Sequence, residues 1–85
     1  MSTWHVYILR CGDGSLYTGI SPDVTARLQA HQAGKGARYT RGRGPFELVY
    51  QEPAGSQADA TRRERAVKRL TREKKQALIQ GGSKP

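Results

Sequence analysis

Hydrophobic positions in this chain fall into short runs divided by glycine, proline and clusters of charge. Trp4-His5-Val6-Tyr7-Ile8-Leu9-Arg10 is dense in aromatic and β-branched residues and predicts a strand. Gly12-Asp13-Gly14 predicts a turn, and Leu16 to Ile20 the returning strand. Side chains alternate faces along a strand, so the loop length decides which residues meet. A loop of Asp13-Gly14 alone pairs Arg10 with Tyr17 and sends Tyr7 and Tyr17 to opposite faces. A loop of Gly12 to Gly14 pairs Leu9 with Tyr17 and Tyr7 with Gly19, which sets the two tyrosines diagonally on one face. Gly14 suits the left-handed position of the longer loop, and that version is favoured.

Helical signals follow. Ser21-Pro22-Asp23 reads as a helix start, with Ser21 as N-cap, Pro22 at the first helical position and Asp23 near the positive end of the helix dipole. The helix is expected to run to Gln32 or Ala33 and to stop at Gly34. Val24 and Leu28 define its buried stripe, His31 lies beside that stripe, and Arg27 sits at its edge one turn before His31. Gly34 to Pro45 reads as a loop, and Phe46 to Gln51 as a third strand broken by Pro53. Ser56 and Asp59 form a capping box for a second helix, which turns Ala60, Val67 and Leu70 inward with Glu64 at the edge of their stripe. Thr71 caps a third helix to about Gln80 that buries Ala77, Leu78 and Ile79. The expected fold is a single α/β (α+β) domain over residues 1–80, a three-stranded, mostly antiparallel sheet flanked by three helices, with a disordered tail at 81–85.

Composition narrows the function. With 85 residues, the chain has room for one modest core and none for a two-domain cleft. Fifteen Lys and Arg against seven Asp and Glu leave a net charge of +8, which points to an anionic polymer as partner. Arg outnumbers Lys, and its planar fork matches phosphate oxygens in pairs, which favours nucleic acid over a membrane surface. The loop at 34–45 carries Lys35, Arg38, Arg41 and Arg43 with no acid of its own, interleaved with glycines, and Tyr39 offers a ring for stacking on a base. A single cysteine, Cys11, forms no internal disulfide or zinc site and reads as a small apolar residue at a strand end. No apolar run has the length of a signal peptide or a membrane span, so a cytoplasmic location is expected.

The ordered set of Tyr7, Tyr17, Gly19, Arg27, His31 and Glu64 resembles the GIY-YIG nuclease superfamily, in particular its small stand-alone bacterial members. The two name motifs are matched by His5-Val6-Tyr7 and Tyr17-Thr18-Gly19. Arg27 and His31 match the helix that follows, and Glu64-Arg65-Ala66-Val67-Lys68-Arg69-Leu70 the helix of the metal-binding Glu. The loop Gly34-Lys35-Gly36-Ala37-Arg38-Tyr39-Thr40-Arg41 is also similar. The first motif lacks the Gly-Ile of the name, and the chain has no Asn for the late phosphate contact of several family nucleases.

The resemblance implies an endonuclease that hydrolyses DNA phosphodiester bonds with a single Mg²⁺ or Mn²⁺, in a structure-directed or repair role. Tyr17 is then the general base, its pKa lowered by nearby positive charge, and activity rises toward alkaline pH. Tyr7 orients the water or bonds Tyr17, or is a structural strand aromatic. Arg27 pairs with the scissile phosphate. His31 bonds Tyr17, relays its proton, or contacts phosphate. Glu64 holds the metal weakly, with substrate completing the shell, or else pairs with Lys68 one turn on. Gly19 lets the backbone approach phosphate or the tyrosine pair. Lys35, Arg38, Tyr39, Arg41 and Arg43 form the nucleic-acid clamp. The alternative is a non-catalytic DNA- or RNA-binding module that keeps the fold. A carboxylate in a basic cleft separates the two readings, since binding alone needs none.

Overall fold

Four consecutive buried residues, Val6 to Leu9, run through the middle of the first strand, which means that both of its faces are covered. A computed structural model describes residues 3–82 and places this strand, β1 (Trp4–Arg10), at the centre of a three-stranded sheet. β2 (Leu16–Ser21) and β3 (Glu47–Gly55) flank it, both antiparallel, in the order β2-β1-β3. α1 (Val24–Gln32) lies toward one face; α2 (Gln57–Lys68) and α3 (Arg72–Gly82) lie toward the other. Val6, Ile8, Tyr50, Ala60 and Val67 make the core on the α2 side. Tyr7, Leu9, Cys11, Val24 and Phe46 make the second core, and Cys11 is a buried free thiol with the packing place expected of it.

The hairpin has the three-residue loop. Cys11 N–H donates to the Ser15 carbonyl at 2.8 Å, Gly14 has φ +86°, and Leu9 faces Tyr17 while Tyr7 faces Gly19. Three expectations need correction. Ser21 does not cap α1: it stays paired with His5 at the end of β2, and its hydroxyl binds the Asp23 backbone instead. Asp23 is the cap, accepting from the Ala26 N–H at 3.0 Å, so Pro22 precedes the helix instead of opening it. Pro53 does not end the third strand, because β3 is an edge strand and a missing N–H there costs no second ladder. Ala77 is exposed on α3, while Leu78 and Ile79 are half-buried.

The α2 capping box of Ser56 and Asp59 is present, Thr71 Oγ1 accepts from the Lys74 N–H, and Arg63 clamps Glu52 of β3 through two hydrogen bonds. Of the expected tail, Gly81 and Gly82 belong to α3, and 83–85 lie outside the described residues. No helix of the described residues is long and apolar enough to cross a membrane.

Candidate active site

Tyr7 and Tyr17 stand on neighbouring strands on one face of the sheet, with ring centroids 6.4 Å apart. Gly19 makes that possible. A Cβ there would lie 2.5 Å from the Tyr7 hydroxyl oxygen and 3.1 Å from the Tyr17 ring. Of the two uses expected for Gly19, the structure shows the one that serves the tyrosines; the residue itself is buried.

His31 projects from α1 into the same cluster and is 1% exposed. Its Nε2 is 3.0 Å from the Tyr7 hydroxyl and its Nδ1 is 2.9 Å from Thr40 Oγ1. The Thr40 hydroxyl donates its own proton to the Ala37 carbonyl at 2.8 Å. Thr40 must therefore accept from His31, so the imidazole carries its proton on Nδ1 and Nε2 accepts from Tyr7 O–H. Burial, aided by Arg27, lowers the His31 pKa and favours this neutral form. The expected His31–Tyr17 bond is not formed. Tyr17 meets the imidazole edge-on, centroids 5.3 Å apart, because its side chain sits diagonally across from Tyr7.

Thr40 and Gly36 escaped the sequence reading, since they lie in a loop whose visible feature is charge. Gly34, with φ +77°, ends α1 and returns the chain over His31, and a Cβ on Gly36 would fall 2.1 Å from Nδ1. Thr40 then closes the imidazole from a short 3₁₀ turn, Arg38–Thr40. Thr40→Val should cost about 1–3 kcal/mol by orphaning Nδ1–H. Nitrogen NMR of the imidazole should show the Nδ1–H tautomer in the parent and its loss or mixing in the variant. An unchanged tautomer would remove Thr40 from control of His31.

The charges around the tyrosines run against one expectation. Tyr7 is pushed up to about 12, first by burial and then by Tyr17, with Arg27 opposing and Glu64 adding. Tyr17 is also raised, by burial and then by Glu64, against the pull of Arg27. Positive charge therefore does not leave Tyr17 with a lowered pKa, because desolvation and one carboxylate outweigh one guanidinium. Arg27 is exposed rather than tucked inward, yet its charge acts on Tyr7, Tyr17 and His31. Glu64, its side chain 19% exposed, is 3.4 Å from Lys68 Nζ. Five side chains from β1, β2, α1 and α2 thus share one electrostatic site, with Glu64 as the carboxylate acting on both tyrosines.

The GIY-YIG catalytic domain model matches residues 3–77. The chain belongs to the GIY-YIG family. A UPF0213 protein of Cronobacter sakazakii is 47% identical over 81 residues, 95% of this chain and 85% of that protein. One from Staphylococcus epidermidis is 50% identical over 82 residues, covering 96% of this chain and all of that protein. The solution structure of a UPF0213 protein from Bacillus halodurans superposes with a TM-score of 0.62 at 49% identity, covering 98% of this chain and 88% of the other. A solution structure from E. faecalis gives a TM-score of 0.64 at 34% identity, covering 94% of this chain and 85% of the other.

GIY-YIG nucleases need a divalent ion, and the residues here fit one only in company with substrate. Among the described residues no group of three or more His, Cys, Asp or Glu could hold a metal. A single carboxylate completed by phosphate oxygens and water is a usual arrangement for Mg²⁺, and Glu64 is the carboxylate whose charge acts on both tyrosines.

The cationic loop is less free than its sequence implies. Asp13, from the β1–β2 turn, supplies the acid that the loop lacks and pairs with Arg43 Nη1 at 2.5 Å. Arg43 also lies over the Tyr39 ring, 4.4 Å from its centroid, and Tyr39 stacks on Tyr17 at 5.8 Å. Lys35, Arg38 and Arg41 remain exposed. Arg38→Ala with Arg41→Ala should therefore flatten the salt dependence of duplex binding by about two units of log–log slope. Adding Arg43→Ala should change it less, since Arg43 is already neutralised by Asp13. A slope unaltered by the first pair would take the loop out of the interface.

Proposed function

We propose that this chain is an endonuclease that hydrolyses phosphodiester bonds in DNA with low sequence specificity, acting on DNA structure in a cytoplasmic repair setting. The observation that carries the reading is the convergence of Tyr7, Tyr17 and His31 in one ring cluster with the charges of Arg27 and Glu64. A packing role for the two tyrosines requires neither a buried, oriented histidine nor a carboxylate and a guanidinium trained on them.

Tyr7 spends its proton on His31 and is held as a phenol. Tyr17 borders an open cleft, and its phenolate, formed by proton loss to solvent, takes the proton of the attacking water. The water oxygen bonds to phosphorus as the bond to the leaving deoxyribose oxygen breaks, and that oxygen takes a proton from solvent. Arg27 places its guanidinium on the phosphate oxygens and also favours the Tyr17 phenolate. Glu64 would hold a divalent ion, which when bound would supply Lewis-acid charge to the phosphoryl group. Lys35, Arg38 and Arg41, which stay exposed, attract the backbone, while Tyr39 keeps its contacts with Tyr17 and Arg43.

A second reading rests on the raised Tyr17 and on the Glu64–Lys68 pair, which describe a resting site that binds without cutting. Incubating single-stranded, duplex and branched DNA with the protein, with and without Mg²⁺ or Mn²⁺, separates the two. Metal-dependent cleavage of any of the three is expected. Tight binding with no cleavage of all three would make the chain a binding module.

A further inference from the structure

A tyrosine that acts as general base needs a hydroxyl left free by the protein, so that its oxygen can take a proton from water. Tyr17 meets that condition. Among the described residues its hydroxyl makes no side-chain hydrogen bond, whereas the Tyr7 hydroxyl is tied to His31. A side chain without such a bond is aimed only by what packs on its ring. His31 meets the Tyr17 ring edge-on from α1, and Tyr7 lies tilted beside it on the sheet. The stacked contact comes from Tyr39, with centroids 5.8 Å and planes 24° apart.

Tyr39 belongs to the loop between α1 and β3 and is 44% exposed, so burial does little to hold its ring. Arg43 supplies the hold. Its guanidinium carbon lies 4.4 Å from the centroid of the Tyr39 ring, and its Nε donates to the Tyr39 carbonyl at 2.7 Å. Its Nη1 meets Asp13 Oδ2 at 2.5 Å. The far end of this chain of contacts is anchored as well. Asp13 Oδ1 accepts from the Ser15 hydroxyl and N–H at 2.6 and 3.0 Å, which leaves Oδ2 for Arg43. Those Ser15 bonds, with Arg43 adding, hold the Asp13 pKa down at about 2, so the ion pair persists wherever a tyrosine base works. The Gly12 N–H also donates to the Arg43 carbonyl at 2.5 Å and ties the loop backbone to the same hairpin turn.

We propose that Arg43 is a positioning residue for Tyr17: it seats Tyr39 on the Tyr17 ring, and Asp13 holds Arg43 in that place. The proposal rests on the nuclease reading for the work Tyr17 does, and it gives the cationic loop a second task. Lys35, Arg38 and Arg41 serve the phosphates, and Arg43 serves the general base. Both partners of the Arg43–Asp13 pair are exposed, and such pairs add little to folding, so substitution there separates positioning from stability.

The test uses the full chain with ring-labelled tyrosine, first without DNA or metal. The Tyr17 ring resonance, assigned by its absence in Tyr17→Phe, should move in Tyr39→Ala, where the neighbouring ring current is gone. Arg43→Ala and Asp13→Asn should move it at least halfway to that position, and Tyr39→Phe, which keeps the ring, should leave it in place. The His31 Nδ1–H tautomer should persist in Arg43→Ala, because Thr40 and not Arg43 sets it. In cleavage at saturating DNA with Mg²⁺ or Mn²⁺, Arg43→Ala should lower kcat about tenfold or more with KM within about twofold, and Tyr39→Phe should keep the wild-type kcat. A Tyr17 resonance unmoved in Arg43→Ala, or moved only together with loss of the His31 tautomer, would overturn the proposal. So would a raised KM with kcat unchanged, which would return Arg43 to the phosphate clamp. Absence of cleavage by wild type would sink the nuclease reading, while the ring resonances still decide whether Arg43 holds Tyr17.

Discussion

Tyr17→Phe is expected to lower cleavage on the order of 10²–10⁴-fold while DNA affinity stays within about threefold. The variant removes one oxygen from a half-buried ring. Among the described residues the tyrosine hydroxyls held by side-chain hydrogen bonds are those of Tyr7 and Tyr50, so no described partner of Tyr17 is orphaned and the fold should persist. The pH profile gives a second check. Tyr17 is raised above its ordinary value of 10.0, and the phenolate is the active form. At neutral pH that form is scarce, and the rate should climb about tenfold per pH unit, with no plateau below about pH 10. Arg27→Ala removes the charge that pulls Tyr17 down, so its profile should move to still higher pH. Residual cleavage by Tyr17→Phe should lose this slope. Equal cleavage by wild type and Tyr17→Phe, with the same alkaline rise, would overturn the tyrosine mechanism and leave the fold assignment intact.

Glu64→Gln should abolish metal-stimulated cleavage and leave DNA binding unchanged or a few-fold tighter. The change is nearly isosteric, and the partly exposed Glu64–Lys68 pair contributes only about 0.3–0.5 kcal/mol, so loss of folding does not explain the result. Two electrostatic effects favour DNA. A negative charge leaves a basic cleft, and Lys68, released from its 3.4 Å partner, turns to phosphate. Removing the same charge also lowers the pKa of both tyrosines, since Glu64 is one of the groups that raise them. A lower Tyr17 pKa alone would make the base more available. A dead Glu64→Gln therefore identifies a role that Tyr17 cannot replace, the holding of the divalent ion. Full activity of the variant in Mg²⁺ or Mn²⁺ would exclude Glu64 as the metal ligand. Isothermal titration with the metal, in the presence and absence of a non-cleavable DNA, should show affinity only when both DNA and Glu64 are present.

Much of the fold was legible because it rests on local signals. Gly14 set the length of the hairpin loop, and the loop length set the register that places Tyr7 and Tyr17 on one face. Ser56 with Asp59, and Gly34, marked a helix start and a helix stop that the structure shows. Where two local signals competed, tertiary pairing decided. Ser21 and Asp23 are both good caps, and the sheet took Ser21. Pro53 is a strand breaker only where both edges of a strand are bonded, and which strand is an edge is a property of the sheet.

The chain's own order of residues determined that it is a small basic α/β domain with two tyrosines on one face, a helical Arg and His one turn apart, and a single carboxylate to serve them. Periodicity and turn chemistry act over a few residues and can be read one segment at a time. Only the tertiary structure decided how those groups use one another. It gave the Tyr7 proton to His31 and fixed the histidine tautomer through Thr40. It also drew Arg43 to Asp13 across the loop and raised Tyr17 where nearby positive charge was expected to lower it. Hydrogen-bond partners and desolvation depend on which distant segments close over a group, and that is set when β1 is buried between α1 and α2, not by any spacing along the chain.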